Sequence, residues 1–481
     1  MYREQEAKYL NKKERRAIPR QEMPEQAPSI RNKDFSEVTL GYSITDAQYE
    51  AARCIQCKDP ACVQGCPVNI DIPAFLEMIV EGNLQGSIKR VWEKTALPAV
   101  CGRVCPQEMQ CEVVCVVGLK EGKEPVGIGN LEMFIADWAR DNEIKNDVEI
   151  APKTGKKIAV VGSGPAGVTV AGDLAIKGHE VTIYEALHRA GGVLLYGIPE
   201  FRLAKDIVDY EMDQLKDLGV NIICNTVIGR TVDVDELLNE KGYDAVFIGV
   251  GAGLPTFLNI PGEDLNGVFS ANEYLTRANL MKAFDFPNYD TPIIPGRNVA
   301  ILGAGNVAMD AARTAIRLGA KKVTIVYRRT KEQSPSREIE IHHAQQEGVQ
   351  FKFLTSPLEF IGDANGKLVG INCDKMKLGE ADESGRERPI SIGEHEYIDC
   401  DLAIIAIGTH ANPLLTNTTE NLELNQWGNI EADKKTGKTT KKRVWAGGDI
   451  TLGQATVILA MGMGRDAANS IDKYLKGEEE W

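Results

Sequence analysis

The sequence predicts an α/β chain: an α-helical N-terminal domain followed by two nested βαβ domains of one design. Three observations predict it. Eight of the eleven cysteines fall between Cys54 and Cys115, among stretches whose apolar residues recur at three and four, the helical period. An apolar run, a glycine turn and a helix then occur twice, as "KIAVVGSGPAG" from residue 157 and "NVAILGAGNVAMDAAR" from residue 298. The tail "RVWAGGDITLGQATVILAMGMGRDAANSIDKYL" reads as a strand, a Gly-Gly-Asp turn and a helix, which closes the first copy around the second.

Length and composition bound the rest. At 481 residues the chain exceeds one ordinary core, and 43% hydrophobic with 26% charged residues are globular values. A net charge of −14 argues against a sequence-independent grip on nucleic acid or anionic lipid, so small molecules and proteins are the expected partners. The N-terminus carries no apolar signal region, and no apolar run approaches the roughly 18 residues of a membrane span. The expectation is a cytoplasmic protein without a membrane segment, in which eleven cysteines are better read as metal ligands than as disulfides.

In chain order, residues 1–45 are polar, with prolines at 19, 24 and 28, and read either as a partly helical arm across another surface or as a solvated tail. Residues 46–150 form the helical cysteine domain, with helix-like stretches "DIPAFLEMIVEGNLQGSIKRVWE" and "IGNLEMFIADWAR". The charged, turn-rich 141–157 reads as a linker. Residues 151–260 with 409–481 form one nucleotide domain, and 261–408 the inserted one. The runs "YDAVFIGVGAG" and "CDLAIIAIGTHANP" fit as strands that carry the chain between them.

Gly162, Gly164 and Gly167 follow a β run and open a helix, so backbone N–H groups face a pyrophosphate, and Glu185 ends the next strand where an acid bonds ribose hydroxyls. With the closing Gly447–Gly448–Asp449 turn, this site suits FAD. The second fingerprint, Gly303, Gly305 and Ala308, has an accepted alanine variant at its third position. Its second strand ends in Arg328 and Arg329, with Arg337 beyond, and guanidinium groups there suit a 2′-phosphate; NADP(H) is expected over NAD(H), the alternative being a solvated arginine pair. Hydride passing between two stacked cofactors needs no catalytic protein acid or base.

The cysteines read C-x2-C-x4-C-x3-C-P (Cys54, Cys57, Cys62, Cys66) and C-x3-C-P-x4-C-x3-C (Cys101, Cys105, Cys111, Cys115). In two-cluster ferredoxins the last cysteine of such a run ligates the other cluster, so two [4Fe–4S] clusters are expected, with zinc as the alternative. A redox disulfide would need a C-x-x-C inside a nucleotide domain, and none is there. Cys224, Cys373 and Cys400 read as buried inert thiols, and His342–His343 as solvent-facing.

The segments "CIQCKDPACVQGCPVNIDIP", "LPAVCGRVCPQEMQCEVVC", "VVGSGPAG", "GAGNVAMDAAR" and "WAGGDI" together resemble the glutamate synthase small-subunit family, over nearly the whole chain. That family includes the large subunit of NADH-dependent ferredoxin:NADP⁺ oxidoreductase, to which the N-terminal arm is slightly more similar, and the N-terminal half of dihydropyrimidine dehydrogenase. The resemblance implies an iron–sulfur domain followed by nested Rossmann-like FAD and NADPH domains. It implies a partner as well: a small flavin/iron–sulfur subunit with ferredoxin as acceptor, or a glutamate synthase large subunit, since three domains leave no room for a glutaminase domain or an FMN barrel. It also implies the ligands. A polar helix residue completes one cluster in the pyrimidine-reducing relative, and Glu132 holds the matching place. Cys54, Cys57, Cys62 and Cys115 then form one set, and Cys66, Cys105, Cys111 and Glu132 the other, with Cys101 a nearby thiol or the competing ligand. The expected cofactor contacts are Gly162, Ser163, Gly164, Pro165, Ala166, Gly167, Glu185, Gly192, Arg202, Gly448, Asp449 and Thr456 for FAD. For NADP(H) they are Gly303, Gly305, Asn306, Val307, Arg328, Arg329, Arg337 and Gly408.

Overall fold

The computed structural model describes residues 6–381 and 385–481. The helical region holds the helices Ile44–Ala52, Ile72–Glu81, Leu84–Trp92, Pro98–Val104, Val116–Glu121 and Ile128–Asp141. The first predicted helical stretch is two helices, because Gly82 takes a left-handed φ of +80° that ends one and Asn83 caps the next through Gly86 N–H.

Fifteen strands follow: β1 (Lys157–Val161), β2 (Glu180–Tyr184), β3 (Asn221–Ile223), β4 (Ala245–Ile248), β5 (Leu254–Pro255), β6 (Val268–Ser270), β7 (Asn298–Leu302), β8 (Lys322–Val326), β9 (Gln350–Lys352), β10 (Thr355–Gly362), β11 (Leu368–Ala381), β12 (Glu387–Asp399), β13 (Leu402–Ile405), β14 (Thr409–His410) and β15 (Val444–Ala446). Two parallel sheets, β15-β4-β1-β2-β3 and β6-β13-β7-β8-β9, repeat one topology over four strands and differ at the edge, where the first ends on its last strand and the second on its first. Their central strands are buried continuous apolar runs, as sheets covered by helices on both faces require. Val161 lies beside Tyr184 and Leu302 beside Val326, so the two strand ends that flank each glycine turn stand level.

The second unit is inserted into the first. After β4 the chain leaves through β5 and returns through β14, and these two crossing segments pair antiparallel at Thr409–Pro255 and His410–Leu254. β15 then completes the first sheet beside β4. An antiparallel sheet β10-β11-β12, unpredicted from the sequence, packs Phe360, Ile371 and Ile398 against the second parallel sheet.

One continuous apolar core runs from the N-terminal arm through the helical domain into the helices of the first nucleotide domain. The second domain has its own core. From residue 6 the arm is seated, not a solvated tail: Arg15 pairs with Glu77, Tyr42 donates its hydroxyl to Gln21 O, and Val38 N–H donates to Phe201 O at 3.0 Å. Its Glu25 also accepts from His343, which is buried, a correction to the solvent-facing reading; His342 alone is exposed. Cys373 and Cys400 are buried, whereas Cys224 is half-buried.

Candidate functional site: two glycine turns and two cysteine groups

Each glycine turn is built by close approach. At Gly162, φ is +99° and a Cβ would lie 2.5 Å from Gly249 O; at Gly303, φ is +128° and a Cβ would lie 2.2 Å from Ala406 O. Only glycine fits there. The middle glycines differ in kind. A Cβ on Gly164 would meet nothing within 4 Å, and one on Gly305 only Pro335 at 3.8 Å. These open cradles lie at the N-termini of the helices Pro165–Ile176 and Asn306–Arg317, where backbone N–H groups of the first turn would receive a pyrophosphate. The residues present thus fit a dinucleotide at each turn.

Around the first turn, Glu185 is buried and its carboxylate accepts from Ser163 N–H (3.0 Å), the Ser163 hydroxyl and Leu187 N–H (2.8 Å). The Ser163 oxygen in turn accepts from Gly191 N–H at 2.8 Å. Gly192, at φ +54°, brings a second glycine loop against Gly164. Gly448 lies against Ala166, and the Asp449 carboxylate accepts from Ala455 N–H at 2.8 Å; burial pushes its pKa up to about 6. Thr456 caps the helix Val457–Lys476.

At the second turn Asn306 Oδ1 accepts from Ser336 Oγ and Arg337 N–H, both at 3.0 Å, while Val307 is exposed. Gly408, at φ +120°, sits by Gln454. Arg328 is exposed; partial desolvation, then Arg329 and Arg386, lower its pKa, so positive charge is gathered here. Arg329 Nε donates to Glu387 O at 3.0 Å. Two expected contacts are engaged elsewhere. The Arg202 guanidinium is buried between Asp310 (2.8 Å) and Glu340 (2.9 Å), and Arg337 pairs with Glu108 at 2.8 Å. Carboxylates from other domains claim both, a relation no local pattern reveals.

The cysteines gather into two groups. Cys54, Cys57, Cys62 and Cys115 line one cavity with Pro60, Ala61 and Val114. Burial, with the neighbouring thiols, pushes Cys54 up to about 12 and Cys62 up to about 11. Cys66, Cys105 and Cys111 surround Glu132: burial, and then the Glu132 and Cys105 charges, raise Cys66 to about 11, and the same neighbours add to the rise at Cys111. Glu132 is buried with one carboxylate oxygen lacking any hydrogen-bond partner, and burial lifts its pKa to about 8. Among the described residues, an orphaned carboxylate oxygen beside these thiols fits a metal group. Cys101 belongs to the same surroundings: it sits beside Cys105, the Glu132 charge helps raise it, and its thiol donates to Met461 Sδ at 3.6 Å. Among the described residues no three such side chains converge as a single-ion site requires.

One helix, Val457–Lys476, joins these parts. A Cβ on Gly464 would lie 2.5 Å from Ala166 O in the first turn, and one on Gly462 would lie 3.1 Å from Pro67 O, next to Cys66. Arg465 pins the same helix to Asp173 (2.9 Å) and to Lys94 O (2.6 Å). The sequence reading missed these three residues, although two glycines two apart inside a helix signal a close backbone approach.

The fold and its turns define an oxidoreductase with two dinucleotide domains and an iron–sulfur domain. Residues 31–144 match the family model of dihydropyrimidine dehydrogenase domain II, 4Fe-4S cluster, and residues 134–241 and 156–464 match pyridine nucleotide-disulphide oxidoreductase. The glutamate synthase [NADPH] small chain of Halomonas elongata is 36% identical over 94% of this chain and 96% of its own length. The NADP(+)-dependent formate dehydrogenase subunit beta of Moorella thermoacetica is 38% identical over 86% of this chain, which spans only 60% of that relative. In fold, FprA of Mycobacterium tuberculosis in complex with NADPH matches with a TM-score of 0.56 at 24% identity, over 68% of this chain and 87% of its own. The chain belongs to the glutamate synthase small-chain family of pyridine nucleotide-linked oxidoreductases, whose cofactors are FAD, NADP(H) and [4Fe–4S] clusters. No helix among the described residues is long and apolar enough to cross a membrane.

Proposed function

We propose that this chain is the electron-input subunit of a larger complex, taking hydride from NADPH and delivering single electrons to a partner. When bound, FAD and the clusters supply the conversion of a hydride into single electrons. The chain's residues supply positions. Gly303–Gly305 and Arg328 seat the nucleotide, Gly162–Gly164 and Glu185 the flavin. Cys66, Cys105, Cys111 and Glu132 hold an inner cluster, and Cys54, Cys57, Cys62 and Cys115 an outer one.

The observation that carries this reading is the helix Val457–Lys476, whose Gly464 abuts the flavin turn and whose Gly462 abuts Cys66–Pro67. It supports an order in which the inner group stands next to the flavin. Three of the four outer cysteines are only half-buried, so the exit faces the surface. The preferred partner is a small flavin/iron–sulfur subunit, in which case this is the large subunit of an electron-bifurcating enzyme acting on ferredoxin and NAD⁺. A second reading, pairing with a glutamate synthase large subunit, is supported by the Halomonas relative, matched over nearly its whole length.

Anaerobic NADPH titration followed by visible spectra and EPR tests the common core: flavin bleaching and two cluster signals are expected. A protein that NADPH leaves unreduced overturns it. Co-purification from the native host separates the two partners.

A further inference from the structure

Arg337, expected among the nucleotide contacts, is paired with another domain in this structure, and its surroundings suggest another task. Its backbone N–H donates to Asn306 Oδ1 at 3.0 Å, at the first residue of the helix that opens the second glycine turn. Ser336 Oγ bonds the same oxygen, and Ser334 Oγ donates to Ala304 O at 2.6 Å, so the loop 334–337 is fastened to the turn at three points. The Arg337 side chain leaves the domain. Its guanidinium donates to Glu108 at 2.8 and 3.0 Å and to Gln107 Oε1 at 2.8 Å.

Gln107 lies in the loop between Cys105 and Cys111 and braces the wall of the inner group. Its amide donates to Cys101 O and Gly102 O, both at 3.2 Å, at the end of the helix Pro98–Val104. It also fills the space over Gly129, where a Cβ would lie 2.2 Å from its amide nitrogen, one turn before Glu132. Gln107 therefore wedges between the helix that leads into Cys105 and the helix that carries Glu132. Arg337 holds that wedge from another domain.

We propose that Arg337 is a positioning residue that links the second glycine turn to the wall of the inner cysteine–glutamate group, so that nucleotide occupancy alters the inner cluster. This rests on the ligand assignment under Proposed function. The link is reciprocal: by whatever factor the nucleotide changes the cluster's reduction equilibrium, reduction of the cluster changes nucleotide affinity by the same factor.

The probe is 2′,5′-ADP, which carries the 2′-phosphate and accepts no hydride, added to cluster-loaded, dithionite-reduced protein. The inner EPR signal is expected to shift while the outer stays. Affinity for 2′,5′-ADP should differ between the oxidised and reduced protein by about fivefold or more, the lower end of ordinary site coupling. In Arg337→Met, and independently in Glu108→Gln, iron content and both signals are retained while the shift and the affinity difference disappear; Arg337→Lys restores part of each. A shift that persists in Arg337→Met overturns the proposal, as does a wild-type protein with both signals and no response to the probe. Arg337→Met that weakens the probe more than about tenfold in the oxidised state returns the residue to 2′-phosphate binding. If Glu132→Ala leaves both signals unchanged, the ligand assignment has failed, and the link with it.

Discussion

The two βαβ units use one backbone device for two tasks. Both turn through a glycine at positive φ pressed against a neighbouring strand end, and both leave the middle glycine open. What surrounds the turn differs. In the first, Glu185 is buried with Ser163 and Leu187 bonded to it, and one face of the unit's sheet shares an apolar core with the cysteine domain while the other face has its own. In the second, Ala304 replaces the serine, the strand end carries exposed Arg328 instead of a carboxylate, and the unit meets its neighbours through ion pairs: Arg31–Glu347, Arg202–Asp310 and Arg337–Glu108. A turn whose acid is buried and bonded suits a permanent resident. A turn beside exposed Arg328 suits a ligand that comes and goes.

The sharpest break of this comparison is the same substitution at both turns. Gly162→Val should give protein without flavin and with markedly lower stability, because a β-branched residue at φ +99° also overlaps Gly249 O. Gly303→Val should keep its yellow flavin, bleached by dithionite but not by NADPH. Visible spectra of the two purified proteins check this.

Next in size is the tie between units. Arg202→Met leaves Asp310 and Glu340 buried with less compensation, a loss of about 3–5 kcal/mol for such pairs. Calorimetry should then show the second domain melting apart from a flavin-bearing remainder. A single unchanged transition would mean the ion pairs do not hold the domains. Smaller again is Arg328→Ala: losing one charge-assisted bond of about 1.5–3 kcal/mol should raise the NADPH Kd by about 10- to 100-fold and leave NADH unchanged. Stopped-flow bleaching with each nucleotide measures it.

The smallest effect is a slope. In the ligand-free protein burial keeps Asp449 protonated up to about pH 6, whereas the unfolded chain releases that proton near 3.8. Between these values the native state binds more protons, so stability falls as pH rises, by about 1–3 kcal/mol in total, and is flat above. Denaturant melts of wild type and Asp449→Asn across pH 4–7 isolate this: the difference between them should vary only in that window.

Local devices were legible in the sequence. The glycine turns, the strand and helix order and the crowding of cysteines each depend on residues near one another in the chain. The sheet β10-β11-β12 was not, because β12 is exposed along most of its length and "ERPISIGEHEYID" lacks the apolar alternation that marks a half-buried strand. Nor were the settings of Arg202, Arg337 and His343, whose partners stand 108, 229 and 318 residues away. Charge alone says that such a residue will find a partner, not which one.

The arm's Arg31 is sealed against Glu347, 316 residues later, with Gln346 and Glu25 beside it. Glu347 also takes Arg313 at 2.9 Å and Arg317 at 2.6 Å, both on the helix Asn306–Arg317 that follows the second glycine turn. One carboxylate thus serves as hub for three guanidinium groups. The arm and the helix behind the nucleotide turn share a single anchor.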